Sequence, residues 1–316
     1  MKDNFFNVLR GGLHSSFQDL GFRNFQHLGI ATGGVIDNNL FFLANKLLGN
    51  KLNTPILEFT NQGPLLYLKK GRCRFAITGN VKFNIIRKEG VIEGISNRTF
   101  FLNEGEQLDI LGTVNSNYGY FSIEGGFKLE NVYGSFSTLT KSEIGANNGK
   151  KISCNQLIFF KTQGSGFNNS IDINFKLLNL IRVIRGPQMN YFMLKKIFNF
   201  FNKKFSISNS INRIGVRLEG NIIKATKSHN ISSEGIVKGS IQVPGSGDPI
   251  VLLNDHPTIG GYPKIANVIL SDMAALAQLP PRTLFNFKEV TLSEAENIYK
   301  KNKLLFNNKL NEISKV

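Results

Sequence analysis

The chain has 316 residues, enough for one large domain or two ordinary ones, and its 41% hydrophobic residues allow a sizeable core. A formal charge of +16, from 38 basic and 22 acidic residues, permits anionic partners, but no long charge block and no nucleic-acid motif occurs, so no nucleic-acid partner is expected. Two cysteines and four scattered histidines lack the spacing of a metal site, and no run of about 18 uncharged apolar residues exists to span a membrane.

In chain order, the N-terminal MKDNFFNVLRGG carries an acid and no long apolar stretch, so it does not read as a secretory signal. With two thiols and no CxxC, a cytoplasmic protein is the simplest expectation. The spacing predicts a helix over 37–48, with Leu40, Leu43, Ala44, Leu47 and Leu48 on one face, Asp37 as its start cap and Gly49 as its stop. From residue 55 the pattern changes to short runs rich in Ile, Phe and Leu, bounded by Gly, Asn or Pro. Strands are predicted over 55–59, 65–69, 74–78, 81–87, 107–111, 118–123 and 156–161. The polar stretch 164–174 reads as a linker that divides the chain into halves, 1–170 and 171–316.

In the second half, strands are predicted over 180–184, 240–243, 250–253 and 283–287. A helix over 191–201 places Leu194, Ile197, Phe198 and Phe201 on one side. Two more are expected over 267–278 and 291–305, the last opening with a capping box from Thr291 to Glu294. Strand spacing near ten residues favours barrels or sandwiches, so the fold class is all-β with a few helices.

Several motifs fail on inspection. GANNGKK at Gly145 has three residues between its glycines where a phosphate loop needs four, and no Ser or Thr follows Lys150. No G-x-S-x-G elbow and no M-K-M biotin-attachment sequence occurs. What remains is glycine combined with charge. Arg213 and Arg217 in NRIGVRLEG can clamp a carboxylate or phosphate, or make ordinary ion pairs at a strand edge. The densest stretch is DHPTIGGYPKIANVILSDMAALAQLP, from Asp255. Gly260 and Gly261 can let backbone N–H groups approach an anion, and Lys264 can reach that anion as a point charge. Asp255 can take a proton or orient a partner, and His256 titrates near neutrality. The alternative is a tight turn before a helix, with Lys264 on open surface.

Taken in order, QDLG, QHLGIATGGVIDNNLFFLANKLLGN, LEFTNQGPLL, YGSFST, RVIRGPQ, NRIGVRLEG and the run from SSEGIVKGSIQVPGSGDP through the Asp255 stretch are similar to one family. The chain resembles the family of 5-oxoprolinase C subunits, also called allophanate hydrolase subunit 2 or biotin-dependent carboxyltransferase domain. That resemblance implies tandem cyclophilin-like β-barrels and a hetero-oligomer. The activity it implies is that of the C subunit in a bacterial ATP-dependent 5-oxoprolinase, a hydrolase that needs subunits A and B to open a lactam to glutamate. ATP with Mg would be shared with those subunits. The alternatives it implies are a carboxyltransferase of the urea carboxylase type, with biotin on a separate carrier, and a non-catalytic regulator that binds a kinase inhibitor.

On this resemblance the candidate catalytic groups are Asp255, Lys264 and Arg213, with the Lys264 ammonium in the same cleft as Arg213. The substrate-binding candidates are Ser233, Gln242, Thr258, Gly260, Gly261 and Tyr262. Three positions depart from the family pattern: Phe22 and Phe136 stand where arginines belong, and Glu124 replaces a small residue before Gly125.

Overall fold

Alternation of apolar and polar residues builds twenty-four strands among the described residues, and their inner side chains are buried. The protein is described by a computed structural model, which covers residues 4–161, 164, 166–173 and 178–315. Two units form. One comprises Met1–Phe22, Gly33–Phe175 and Phe306–Val316, the other Arg23–Thr32 and Lys176–Leu305.

The first unit contains β1 (Asn4–Arg10), β2 (His14–Gln18), helix α1 (Asn38–Leu48), β3 (Ile56–Thr60), β4 (Leu65–Lys70), β5 (Arg72–Thr78) and β6 (Val81–Arg87). There follow β7 (Gly90–Gly94), β8 (Arg98–Asn103), β9 (Gln107–Thr113), β10 (Tyr118–Ile123), the short β11 (Thr138–Leu139) and β12 (Ile144–Gly145), β13 (Leu157–Phe160) and β14 (Asn169–Ser170). One sheet runs β13-β1-β4-β9-β6-β7. The other runs β2-β3-β10-β5-β8-β14 and is extended at the β14 edge by Ser314–Lys315.

The abundance of phenylalanine has its explanation between these sheets. Phe6 and Phe83 come from the first, Phe75 and Phe121 from the second, and all four are fully buried in one cluster. Their rings meet edge to face, Phe6 on Phe121 at 6.1 Å and Phe75 on Phe83 at 6.2 Å, the geometry an aromatic quadrupole favours.

Helix α1 forms as its pattern requires, with its apolar face buried. Asp37 accepts hydrogen bonds from Asn39 N at 3.0 Å and Leu40 N at 3.2 Å, and Gly49 closes the helix at φ 71°. The buried Arg74 guanidinium donates to the Leu47 carbonyl at 3.2 Å, at the negative end of the helix dipole. Glu124 lies 3.6 Å from Arg74, so this departure from the family pattern supplies a counter-ion to a buried cation. Phe22 is likewise buried, against the glycines at 33 and 145. The Asp19 carboxylate joins two of the quoted stretches. It accepts from Ser135 Oγ and Ser137 Oγ, both at 2.6 Å, from Phe136 N at 2.8 Å and from Gly21 N at 2.9 Å. Phe136 therefore contributes its backbone to a structural joint.

The second unit contains β15 (Leu180–Arg185), α2 (Leu194–Asn202), β16 (Phe205–Ile211), β17 (Gly215–Glu219), β18 (Glu234–Gly235), β19 (Ser240–Gln242), β20 (Ile250–Leu252), β21 (Ile259–Gly260), β22 (Lys264–Val268), α3 (Leu270–Ala277) and β23 (Leu284–Glu289). Helix α4 (Leu292–Leu310) follows. Seven strands close into a barrel in the order β15-β22-β19-β20-β17-β16-β23. Only the β15–β23 pair is parallel, with Leu180 opposite Asn286. Alternate residues such as Ile181 and Val183, and Phe285 and Phe287, fill the interior. Phe200 of α2 stacks on Phe287 at 4.7 Å. The all-β expectation holds. Hydrogen-bonded closure among the described residues belongs to the second unit, and the first presents two sheets over one core.

The capping box forms as predicted, with Thr291 N donating to Glu294 Oε2 at 2.7 Å and Glu294 N to Thr291 Oγ1 at 3.2 Å. Three other expectations need correction. Asn267 belongs to β22, and the helix after it begins at Leu270, because β22 pairs on both sides within the barrel. Helix α2 buries Phe200, leaves Ile197 and Phe201 half-buried and turns Leu194 and Phe198 outward, so its buried face is rotated from the predicted one. In the predicted linker, Asn169–Ser170 is a strand, while residues 165 and 174 lie outside the described residues. Strands at 4–10, 14–18, 90–94, 98–103, 205–211, 215–219 and 264–268 escape the sequence reading.

Candidate functional site

A cavity of about 470 Å³ opens in the second unit, lined among others by Arg185, Pro187, Glu234, Ser240, Lys264 and Asn267. Barrel closure builds it. β22 lies between β15 and β19, and the register sets Gln242 opposite Lys264.

Lys264 is 5% exposed, so it is not the surface lysine of a simple turn. Its Nζ donates to the Glu234 carboxylate. Gln188 Nε2 donates to the same oxygen at 2.8 Å, and Gln188 Oε1 accepts Lys264 N at 3.2 Å. The Lys264 ammonium, and after it the Gln188 amide, hold the Glu234 carboxyl below the usual carboxylate range. The Glu234 side chain remains 43% exposed, carried on the two-residue ribbon of β18 and β21. The arrangement is a cation and an amide donor converging on one carboxylate.

Gly260 pairs with Glu234 in that ribbon. A Cβ at Gly260 would come within 2.4 Å of Ile236 Cδ1 and 2.8 Å of Gln242 Nε2. At Gly261 it would meet Ile231 O at 3.0 Å, and the Gly261 carbonyl accepts Ile231 N at 2.8 Å. At both positions a side chain would crowd these neighbours, and neither has positive φ. Gln242 is buried, and its Nε2 has no hydrogen-bond partner among the described residues. An unmet buried donor costs about 1–3 kcal/mol, and Gln242 is not among the residues that line the cavity. Ser233 and Tyr262 are exposed, and Thr258 is half-buried with its carbonyl accepting Ile236 N at 3.0 Å.

Arg213 and Asp255 form a second cluster. Arg213 Nε donates to Asp255 Oδ2 at 2.9 Å and Nη2 to Oδ1 at 2.8 Å, a bidentate pair with side chains 5% and 9% exposed. Asp255 N also donates to Arg213 O at 2.9 Å. Neither residue lines the cavity that holds Lys264. The expectation of one cleft shared by Lys264 and Arg213 is therefore corrected, because the Arg213 fork is occupied by Asp255. Sequence reasoning assigned no role to Glu234 or Gln188. The signal available for Gln188 was its place in RVIRGPQ, and for Glu234 its place in SSEGIVKG.

His256 is buried, with Nδ1 2.7 Å from the Pro257 carbonyl. Burial pushes its imidazole below the ordinary histidine value, against the carbonyl contact that favours the charged form. The unfolded chain then binds more protons than the folded one below about pH 6.5, so His256 contributes stability that is lost as pH falls through that value. The expected result is a melting temperature that declines from pH 8 to pH 5.5 more steeply in wild type than in His256→Gln. Parallel pH profiles would overturn it.

Among the described residues no helix is long and apolar enough to cross a membrane, and no group of three or more His, Cys, Asp or Glu could hold a metal ion.

Known proteins share both the sequence and the fold. The chain is 32% identical over 289 residues to the C subunit of 5-oxoprolinase from Escherichia coli, covering 91% of this chain and 92% of that protein. It is 30% identical to the protein of the same name from Haemophilus influenzae, covering 92% and 93%. Its fold is similar to the crystal structure of Kluyveromyces lactis urea carboxylase, with a TM-score of 0.88 at 23% identity, over 98% of this chain and 29% of that one. Residues 28–289 match the model of the family described as "Carboxyltransferase domain, subdomain A and B". The chain belongs to that carboxyltransferase-domain family.

Proposed function

We propose that this chain is the C subunit of an ATP-dependent 5-oxoprolinase and that the Lys264 cavity receives the substrate. The reading is carried by end-to-end similarity to proteins of that name, over 91% of this chain and 92% of the Escherichia coli protein. The local chemistry agrees. Lys264 and Gln188 already clasp a carboxylate, that of Glu234. The carboxylate of 5-oxoproline would take the place of Glu234, whose exposed ribbon lets it withdraw into water. Gln242, the register neighbour of Lys264, is buried behind the cavity lining, and substrate would have to uncover its unpartnered Nε2 for that atom to donate to the lactam oxygen. Arg213 and Asp255 act as a positioning pair that holds the loop after β20.

The residues described do not fit ATP. No glycine-rich phosphate loop occurs in the sequence, and no group of three or more His, Cys, Asp or Glu that could hold magnesium is present among the described residues. We assign the nucleotide to the companion subunits. The family description favours one second reading, a carboxyltransferase acting with biotin on a separate carrier. A biotin ureido group is also a cyclic amide, and Gln242 would bind its oxygen in the same way.

Reconstitution tests the proposal. The purified chain alone is expected to hydrolyse neither ATP nor 5-oxoproline. Together with subunits A and B it should form glutamate with ATP consumption. Lactam hydrolysis by the isolated chain, or none by the three together, would remove the reading.

A further inference from the structure

Helix α2 buries Phe200 and leaves an apolar face open. Leu194 is 84% exposed and Phe198 65%, four residues apart and so on one face. Met193, just before the helix, is 57% exposed, and Ile222 is 52% exposed. The loop carrying Ile222 is strapped to the helix. Lys196 Nζ donates to Ile222 O at 3.1 Å, and Asn221 Nδ2 donates to Asn199 O at 3.1 Å. Clustered apolar side chains this exposed mark an interaction surface.

Basic side chains dominate the chain around the helix, with the exposed Glu219 three residues before Ile222. No Asp or Glu occurs between Asp172 and Glu219, while Lys195, Lys203, Lys204 and Lys224 are all exposed. The helix start is also poorly made on its own terms. It has no side-chain cap and no acid in its first turn, where Lys195 and Lys196 stand against the positive end of the dipole. Carboxylates brought by a partner would relieve that repulsion while apolar groups covered Leu194 and Phe198.

We propose that the face formed by Leu194 and Phe198 is the docking surface for a protein partner that presents an apolar groove rimmed by carboxylates. This rests on reading the chain as one member of a multi-subunit assembly, and the partner is then a companion subunit. Anchors spaced four apart on a two-turn helix fit a protein groove, whereas nine residues offer little area to a lipid surface.

The experiment measures binding of the full chain to purified subunits A and B, separately and together, and to phosphatidylserine vesicles. The double variant Leu194→Glu/Phe198→Glu is expected to bind its companion on the order of a hundredfold more weakly, with an unchanged melting temperature. Lys195→Glu/Lys203→Glu is expected to weaken binding and flatten its salt dependence. A complex of wild-type affinity with the Leu194→Glu/Phe198→Glu variant would overturn the surface and leave the proposed function intact. No complex with wild type would overturn both. Binding to the vesicles but to neither companion would give the surface to a membrane and refute the proposal.

Discussion

Arg213→Ala is expected to destabilise the protein by about 3–5 kcal/mol, because it strands the Asp255 carboxylate in a site where that side chain is only 9% exposed. The sequence by itself argues for a variant that folds normally, with Arg213 free to meet substrate. The bidentate pair reverses that expectation. A loss of this size corresponds to a fall in melting temperature of roughly 6–20 °C. Removing both charges, as in Arg213→Met/Asp255→Leu, is expected to recover much of the loss, since no buried charge is then left unpaired. The measurement is thermal and urea unfolding of the single and double variants. A normal melting temperature for Arg213→Ala would refute the structural role. Wild-type turnover by the folded double variant, in the reconstituted assembly, would show that the pair does not touch substrate.

Lys264→Met is expected to do the opposite, leaving stability nearly unchanged and reducing kcat/KM for 5-oxoproline about a hundredfold. Methionine keeps an unbranched stem in the buried position. Glu234, 43% exposed, is solvated by water once its partner is gone. What disappears is a charge-assisted contact to the substrate carboxylate, worth up to about 3 kcal/mol, and about 2.7 kcal/mol is a factor of a hundred in rate. Glu234→Gln, which removes the competing carboxylate, should lower KM. Unfolding and turnover need to be measured on the same preparations. Wild-type kinetics in Lys264→Met would make the Lys264–Glu234 pair a structural tie and remove the cavity as substrate site.

These two basic residues look equivalent in the sequence, since each lies beside glycines. Their difference lies in their partners. Lys264 meets a carboxylate 30 residues away on an exposed ribbon, and Arg213 meets one 42 residues away inside the fold. Pairings at that distance are set by strand register, which local periodicity does not contain. The short, irregular strands around the site carry little local signal. β18 and β21 are two residues long, and the end of β22 was absorbed into a predicted helix by the small residues that follow it.

Local signals written within one turn of chain were legible from the residues alone. The Asp37 cap and Gly49 stop of α1, the Thr291–Glu294 box of α4 and the strand-like runs of Ile, Phe and Leu all appear in the structure. They are legible because capping and alternation need only neighbours a few residues apart. Which face of α2 is buried, which carboxylate each cation meets and what crowds Gly260 were settled only by the tertiary structure. The face of α2 depends on Phe200 finding Phe287, and the Gly260 position depends on the Gln242 amide standing 2.8 Å from where a Cβ would be. Such contacts exist only once the barrel has closed, and no spacing within a single segment encodes them.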